Sequence, residues 1–330
     1  MENNTENEYL HFVLGKKDDE KRDLFWFFRN LTAYLRWVYL MFAQKDTLIH
    51  FNLPLSILSI LRDSPLILFT RILRKPMIIH IHGGELLTGK KSPIWLKYIL
   101  KWSLSGKNPK IVLSAAEEEV LRRKFSSRRI FVLPNCIELK EAREFNGKHS
   151  KSEMLKVLFM GRISAAKGLE YIFQGFECLK RKGIKFGFIM AGKGPEEKIY
   201  VRKFRELLGE EFEYRGVVSG DQKAELLKEC NVFLLPSLFE GLPMALIESM
   251  AFGLVPVVTN VGSIKCVVSS GINGIIVKKD SSEEIAGAIE KLTQDRQYLK
   301  ELSRNARQYI FSNYNPDVYI TRLNEIYDNA

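Results

Sequence analysis

The chain has 330 residues, 46% of them hydrophobic, and Lys and Arg exceed Asp and Glu by a formal +11. That length is too great for one ordinary core and suits two domains of roughly 150 residues, while the composition excludes disordered and fibrous classes. The four cysteines (Cys136, Cys178, Cys230, Cys266) are scattered with no C-x-x-C pair and no histidine cluster beside them, which argues against a zinc site or a disulfide framework. The start, MENNTENEYL, is polar and acidic, unlike a secretory signal. No run reaches the ~18 uninterrupted apolar residues of a membrane span: Arg29 and Arg36 interrupt 24–43, and Arg62 and Asp63 interrupt 53–73. A cytoplasmic protein is expected.

In chain order, helical apolar patterning over 24–43 precedes TLIHF (47–51), a helix-like LPLSILSIL, and the strand-like MIIHIHGG (77–84). A basic helix is predicted over about 93–103, then KIVLS (110–114), EEEVLRRKF and RIFVLPN (129–135). The polar, aperiodic stretch 140–153 reads as a linker. Beyond it, apolar runs alternate with helical patterns: KVLFMG, FGFIMAG, EFEYRG, NVFLLPS, VPVVTN and NGIIVKK, with helices such as LEYIFQGFECLKRKG, EEKIYVRKFRELLG and SSEEIAGAIEKL among them. Continuous apolar strands alternating with helices make a parallel sheet covered on both faces, the doubly wound arrangement, whose ligands bind beyond the carboxyl ends of the strands. Gly183, Gly209 and Gly253 stand where helices should stop.

Charge is uneven: residues 1–150 carry 25 Lys and Arg against 16 Asp and Glu, and residues 151–330 carry 25 against 23. A basic half fits an anionic partner such as phosphates or an acidic membrane face, and equally an ordinary solvated surface. No nucleic-acid reading module accompanies it, so no nucleic-acid partner is expected. PIWLKYILKWSLSGK (93–107) sets Trp95, Ile99 and Trp102 among Lys97, Lys101 and Lys107, a pattern of an interfacial membrane helix or of a core-facing stripe.

Four segments carry candidate chemistry. In LFEGLPMALIESMAFG (238–253), Glu240 lies in a loop after a strand and Glu248 about five residues into the following helix. Pro243 suits the first helical turn, and Gly241 allows close backbone approach. The helix start offers free amides to an anion, and the two carboxylates suit ligand hydroxyls; Glu248 could instead cap a backbone or pair with a lysine. FMGRISAAKG (159–168) puts Arg162 and Lys167 at a strand's carboxyl end, where they suit phosphate oxygens. MAGKGPEE (190–197) is a glycine-rich turn after another strand, and HIHGGE (80–85) ends an apolar strand with His82 before two glycines.

Taken together, these segments resemble the glycosyltransferases of the retaining, GT-B-fold family 4 (glycosyltransferase group 1), from about residue 77 to the C-terminus. The carriers are the Glu-x7-Glu segment FEGLPMALIE, GR-x4-KG, AGKGPEE, NVFLLPS, MAFGLVPVVTNVGS and GINGIIVKKDS. The resemblance implies an α/β fold of two Rossmann-like doubly wound domains facing a central cleft. Residues 1–140 would form the acceptor-side domain, 141–153 a linker, 154–310 the nucleotide-sugar domain, and 311–330 a helix crossing back. PNCIEL (134–139) matches the family's hinge, with Cys136 in place of its glycine.

By the same resemblance, the chain would transfer a sugar from a UDP- or GDP-sugar to a saccharide or lipid-linked saccharide in bacterial polysaccharide or glycolipid synthesis, with retention and without a metal or other cofactor. Arg162 and Lys167 would hold the diphosphate, Glu240 would contact the donor sugar or phosphate, and His82 would lie near that sugar. Gly192, Gly194, Gly241, Leu242 and Pro243 would shape the donor pocket, and Glu248 would accept the ribose hydroxyls. The family's early glycine-rich loop is not matched by ENEYLHFVLGKKDDEKRD, which has only Gly15; the pair Asp18-Asp19 there lies in a charged segment. Two other readings therefore stand beside the enzyme: a non-catalytic, sugar-nucleotide-binding partner subunit, and a GT-B sugar-nucleotide epimerase. The basic half and helix 93–107 raise the expectation of a peripheral seat on an anionic inner leaflet.

Overall fold

A computed structural model describes residues 9–12, 14, 24–44, 47–82, 93–145 and 154–330. Gly15, Asp18-Asp19, Gly83-Gly84 and the later part of the expected linker lie outside the described residues. The chain divides into two units, the first running to Pro134 and including Tyr319–Ala330, the second spanning Asn135–Val318. The division falls inside PNCIEL, six residues before the expected boundary.

The first unit opens with helix α1 (Leu24–Ala43), followed by β1 (Ile49–Leu53), α2 (Ile57–Ile72), β2 (Met77–Ile81), α3 (Ile94–Leu104), β3 (Lys110–Val112), α4 (Ala115–Phe125) and β4 (Ile130–Val132). Every strand pairing is parallel, in the order β1-β2-β3-β4. Because the order never reverses, right-handed crossovers put α2, α3 and α4 on one face. There α1 joins them, its Trp37 ring meeting Phe51 of β1 and Phe69 of α2. On the other side, Ile78, Ile111 and Leu133 are buried together with Leu323 and Ile326. These last two belong to the final helix, α12 (Pro316–Asp328).

The second unit begins with a short helix, α5 (Lys140–Glu144), which buries Ala142. Residues read as the start of a linker are therefore helical, because one apolar residue in a polar run is enough to pack a single turn. Next come β5 (Leu155–Met160), α6 (Leu169–Arg181), β6 (Phe186–Ala191), α7 (Glu197–Leu208), β7 (Phe212–Gly216), α8 (Gly220–Glu229), β8 (Val232–Leu235), α9 (Met244–Ala251), β9 (Val255–Thr259), β10 (Ile275–Val277), α10 (Ser282–Gln294) and α11 (Arg296–Asn313). β5, β6, β8 and β9 are buried along their whole length except Lys156, as strands covered on both faces must be. Gly183 and Gly253 follow α6 and α9 with φ of +71° and +86°, ending those helices where an L side chain would be strained.

The sheet order is β10-β9-β8-β5-β6-β7. The chain winds outward from β5 through β6 to β7, then returns to lay β8 against the other side of β5, with Val157 opposite Val232 and Leu158 opposite Phe233. Between β5 and β8 the winding reverses. A crevice opens outside the carboxyl ends of two strands at such a switch point, because their following loops depart to opposite faces.

Candidate functional site

The loops that leave β5 and β8 at this point carry the charged residues singled out in the sequence. After β5 the chain passes through Gly161 and Arg162 into a 3-10 turn, Ala165–Lys167. After β8 it passes through Ser237 to Glu240. Lys167 Nζ lies 2.5 Å from Glu240 Oε1, and Ser237 Oγ donates to the same oxygen at 2.7 Å. Thr259, at the end of β9, donates its hydroxyl to the Ser237 carbonyl. Ser237 and Thr259 are fully buried and Glu240 is 8% exposed. The carboxylate is therefore fixed by its neighbours before any ligand arrives, as a largely desolvated charge must be.

Glycines hold the surrounding loops together. A Cβ on Gly192, whose φ is +130°, would stand 1.9 Å from the Gly161 carbonyl oxygen, and one on Gly194 would stand 2.1 Å from that of Ile163. The loops after β5 and β6 are thus zipped: Gly161 N–H donates to the Ala191 carbonyl and Ile163 N–H to that of Lys193. Gly262 (φ +54°) does the same for the loop after β9. Its Cβ would meet the Glu240 carbonyl oxygen at 2.0 Å, and Ser263 N–H donates to the Gly241 carbonyl. Gly241 itself has open space where a Cβ would be.

Pro243 is the N-cap of α9, one residue before the first helical position expected for it, and Leu242 packs against the core. The helix start has no side-chain cap and no acidic residue in its first turn, which leaves its N-terminal dipole for an anion. Glu248 is held by Lys223 of α8, Nζ to Oε1 at 2.9 Å, with both side chains part-exposed. So each glutamate has its own lysine, and the alternative of a lysine partner for Glu248 is the one realised. Arg162 is exposed and makes no hydrogen bond or ion pair with any described residue.

His82 lies in the first unit, just past β2, with Nε2 2.9 Å from Asn52 Oδ1. An amide oxygen only accepts, so this contact puts the proton on Nε2. Its ring stacks on His80 at 4.2 Å between centroids. His80 Nδ1 is 3.2 Å from His50 Nε2, and His50 Nδ1 is 2.7 Å from the Tyr327 hydroxyl. Burial, with the neighbouring imidazoles, lowers His50 to about 4 and His80 to about 2, and desolvation also lowers His82. All three rings are neutral at pH 7.

Sequence reasoning missed Ser237, Thr259, Gly262 and Lys223. For the two hydroxyls the signal was present: each ends or follows an apolar strand (VFLLPS, VVT) where the next core residue would be expected. Lys223 gave none, since its partner lies 25 residues away across the fold.

The family Glycosyl transferases group 1 matches residues 140–309. An uncharacterized glycosyltransferase of Methanocaldococcus jannaschii is 28% identical over 164 residues, covering 49% of this chain and 41% of that protein. The chain therefore spans less than half the length of that relative. An Escherichia coli enzyme, UDP-Gal:alpha-D-GlcNAc-diphosphoundecaprenol alpha-1,3-galactosyltransferase, is 22% identical over 274 residues, covering 78% and 70%. HepE of Anabaena, solved in complex with UDP, shares the fold with a TM-score of 0.74 at 15% identity, over 91% of this chain and 82% of that one.

Proposed function

The chain belongs to the glycosyl transferases group 1 family, and on that premise we propose that it is a retaining, metal-independent glycosyltransferase moving a sugar from a UDP- or GDP-sugar to a saccharide or lipid-linked saccharide. Its setting would be bacterial polysaccharide or glycolipid synthesis. One observation carries the reading: the Lys167–Glu240 pair stands at the winding reversal of the second sheet, with exposed Arg162 in the same loop as Lys167. The UDP of the HepE complex and the sugar-nucleotide named for the E. coli relative support a nucleotide-sugar donor.

In this reading the departing diphosphate is the group to be stabilised, since its negative charge grows as the glycosidic bond breaks. Arg162 clamps phosphate oxygens, Lys167 turns from Glu240 toward the diphosphate, and the start of α9 adds its dipole. Glu240, kept in place by Ser237, accepts a hydroxyl of the donor sugar, and Glu248 accepts those of the ribose. Gly192, Gly194, Gly241, Leu242 and Pro243 form the walls. His82 contributes a neutral ring whose proton its Asn52 contact keeps on Nε2, and it positions the donor without forming a covalent bond. Retention follows from front-face attack aided by the leaving phosphate. A peripheral seat on an anionic inner leaflet completes the proposal. The test is turnover of a panel of sugar nucleotides with the product's anomeric configuration read by NMR. Retention on a UDP- or GDP-sugar supports the reading, and inversion, or no turnover of any donor, overturns it.

A further inference from the structure

We propose that α1, α2 and α3 together form one membrane-docking face whose occupant is an anionic lipid bilayer; this rests on the peripheral reading above and extends it from one helix to a three-helix layer. Each of these helices already buries one apolar side in the core of the first unit: Trp37 and Met41 on α1, Ile60 and Ile67 on α2, Leu96 and Leu100 on α3. Each then carries a second apolar stripe facing solvent. On α1 it is Leu35, Tyr39 and Phe42, between 62% and 69% exposed. On α2 it is Leu61, Leu68 and Ile72, and on α3 it is Ile94, Tyr98 and Trp102. The spacings of three, four, seven and eight residues keep each stripe on one line along its helix.

The three helices belong to a single layer. Phe42 of α1 meets Phe69 of α2 edge-on at 6.0 Å, the Tyr34 hydroxyl donates to the Arg62 carbonyl, and Arg71 of α2 lies over the Trp102 ring of α3 while donating to the Trp102 and Ser103 carbonyls. The sequence reading of α3 is corrected in one respect. Ile99 packs half-buried against the core, beside Leu96 and Leu100, while Ile94 and Tyr98 take the outer side.

Charge decides the occupant. α1 and α3 contain no acidic residue, and the one acid on α2, Asp63, is buried against Arg62 at 2.6 Å. Exposed Arg36, Lys97 and Lys101 remain beside the stripes. α4, in the same layer, shows what a solvated helix of this protein looks like. It has Glu117, Glu118 and Glu119 in its first half, an Arg122–Glu118 pair, and no large exposed apolar residue. Three apolar stripes on one layer, with cations beside them and no free acid on the three helices themselves, match an anionic interface, where stripes enter the headgroup boundary and lysines meet phosphates. No described helix is long and apolar enough to cross a membrane, so the layer would lie on the bilayer.

The experiment is co-sedimentation of the full chain with phosphatidylcholine vesicles, with and without phosphatidylglycerol, and with UDP binding measured on the same preparations. Wild type is expected to partition onto the anionic vesicles only. Leu35→Glu combined with Leu68→Glu should abolish partition, and Lys97→Ala with Lys101→Ala should weaken it about fivefold per charge removed. Ile199→Glu, an exposed position of the second unit, should change nothing. UDP binding should be the same in all of them. Equal binding to both vesicle types, no binding to either, or a concentration-dependent dimer that Leu35→Glu dissolves would overturn the proposal, the last by making a second copy the occupant. Absent UDP binding with intact vesicle partition would instead refute the donor reading alone.

Discussion

Lys167→Ala and Glu240→Gln remove the same contact but should not cost the same. The Glu240 side chain is 9% exposed and that of Lys167 21%, so loss of the lysine strands a carboxylate that water reaches poorly. A fully buried pair broken this way costs about 3–5 kcal/mol and an exposed one about 0–1 kcal/mol. With Ser237 still donating to Oε1, an intermediate loss of about 2 kcal/mol is expected for Lys167→Ala. In Glu240→Gln the ammonium, on a flexible stem, can turn to solvent, and the loss should be about 1 kcal/mol or less. The double variant should then be more stable than Lys167→Ala alone, because no stranded charge remains. All four tryptophans (Trp26, Trp37, Trp95, Trp102) lie in the first unit, so fluorescence does not report this unit. Native-state hydrogen exchange of the β5 and β8 amides does. A Lys167→Ala loss under about 0.5 kcal/mol, or a double variant no better than that single, would show that the pair is solvated and the switch-point argument misplaced.

Other outcomes follow from the same geometry. Gly192→Ala and Gly262→Ala each force a Cβ to within about 2 Å of a carbonyl oxygen, at positive φ, and should destabilise the second unit by about 2–4 kcal/mol and cut UDP affinity at least tenfold, read by hydrogen exchange and calorimetry. In the first unit, unfolded histidines take up protons below about 6.5 while buried His50 and His80 resist until about 4 and about 2. The unfolded chain therefore binds more protons, and stability is lost as pH falls through 6.5: about 2 kcal/mol per ring between pH 7 and 5. Tryptophan-monitored urea unfolding at the two pH values measures this loss, and His50→Gln should reduce it by about half; an unchanged loss would contradict the burial argument. Chelation with EDTA should leave turnover on the preferred donor intact, and a turnover restored only by added divalent ion would contradict metal independence.

The strands buried on both faces were legible because continuous apolar runs bounded by Gly, Pro and Asn have no other good fate. β5, β6, β8 and β9 fall within a residue or two of the runs KVLFMG, FGFIMAG, NVFLLPS and VPVVTN. Their order in the sheet was not legible, since β5 pairs with a strand some 75 residues later through backbone bonds that no side-chain pattern encodes. The same limit hid the partners of the two glutamates. Lys167 and Glu240 were each singled out, but their 2.5 Å contact depends on which strands are neighbours, and Lys223 carried no local mark at all. The outer stripes of α1 and α2 were missed for a different reason. A helix apolar on two sides reads as a buried helix, and only the fold shows that one side carries exposed apolar side chains.

The central claim is that the β5–β8 switch point of this glycosyl transferases group 1 chain is an anion site for a nucleoside diphosphate. Calorimetric titration of UDP into the wild-type chain, Arg162→Ala and Lys167→Ala, without acceptor or metal, tests it most directly. Micromolar-class binding in the wild type that falls at least tenfold in each variant, about 1.4 kcal/mol or more, is the predicted result. Equal affinity in all three, or no binding to the wild type, would contradict it.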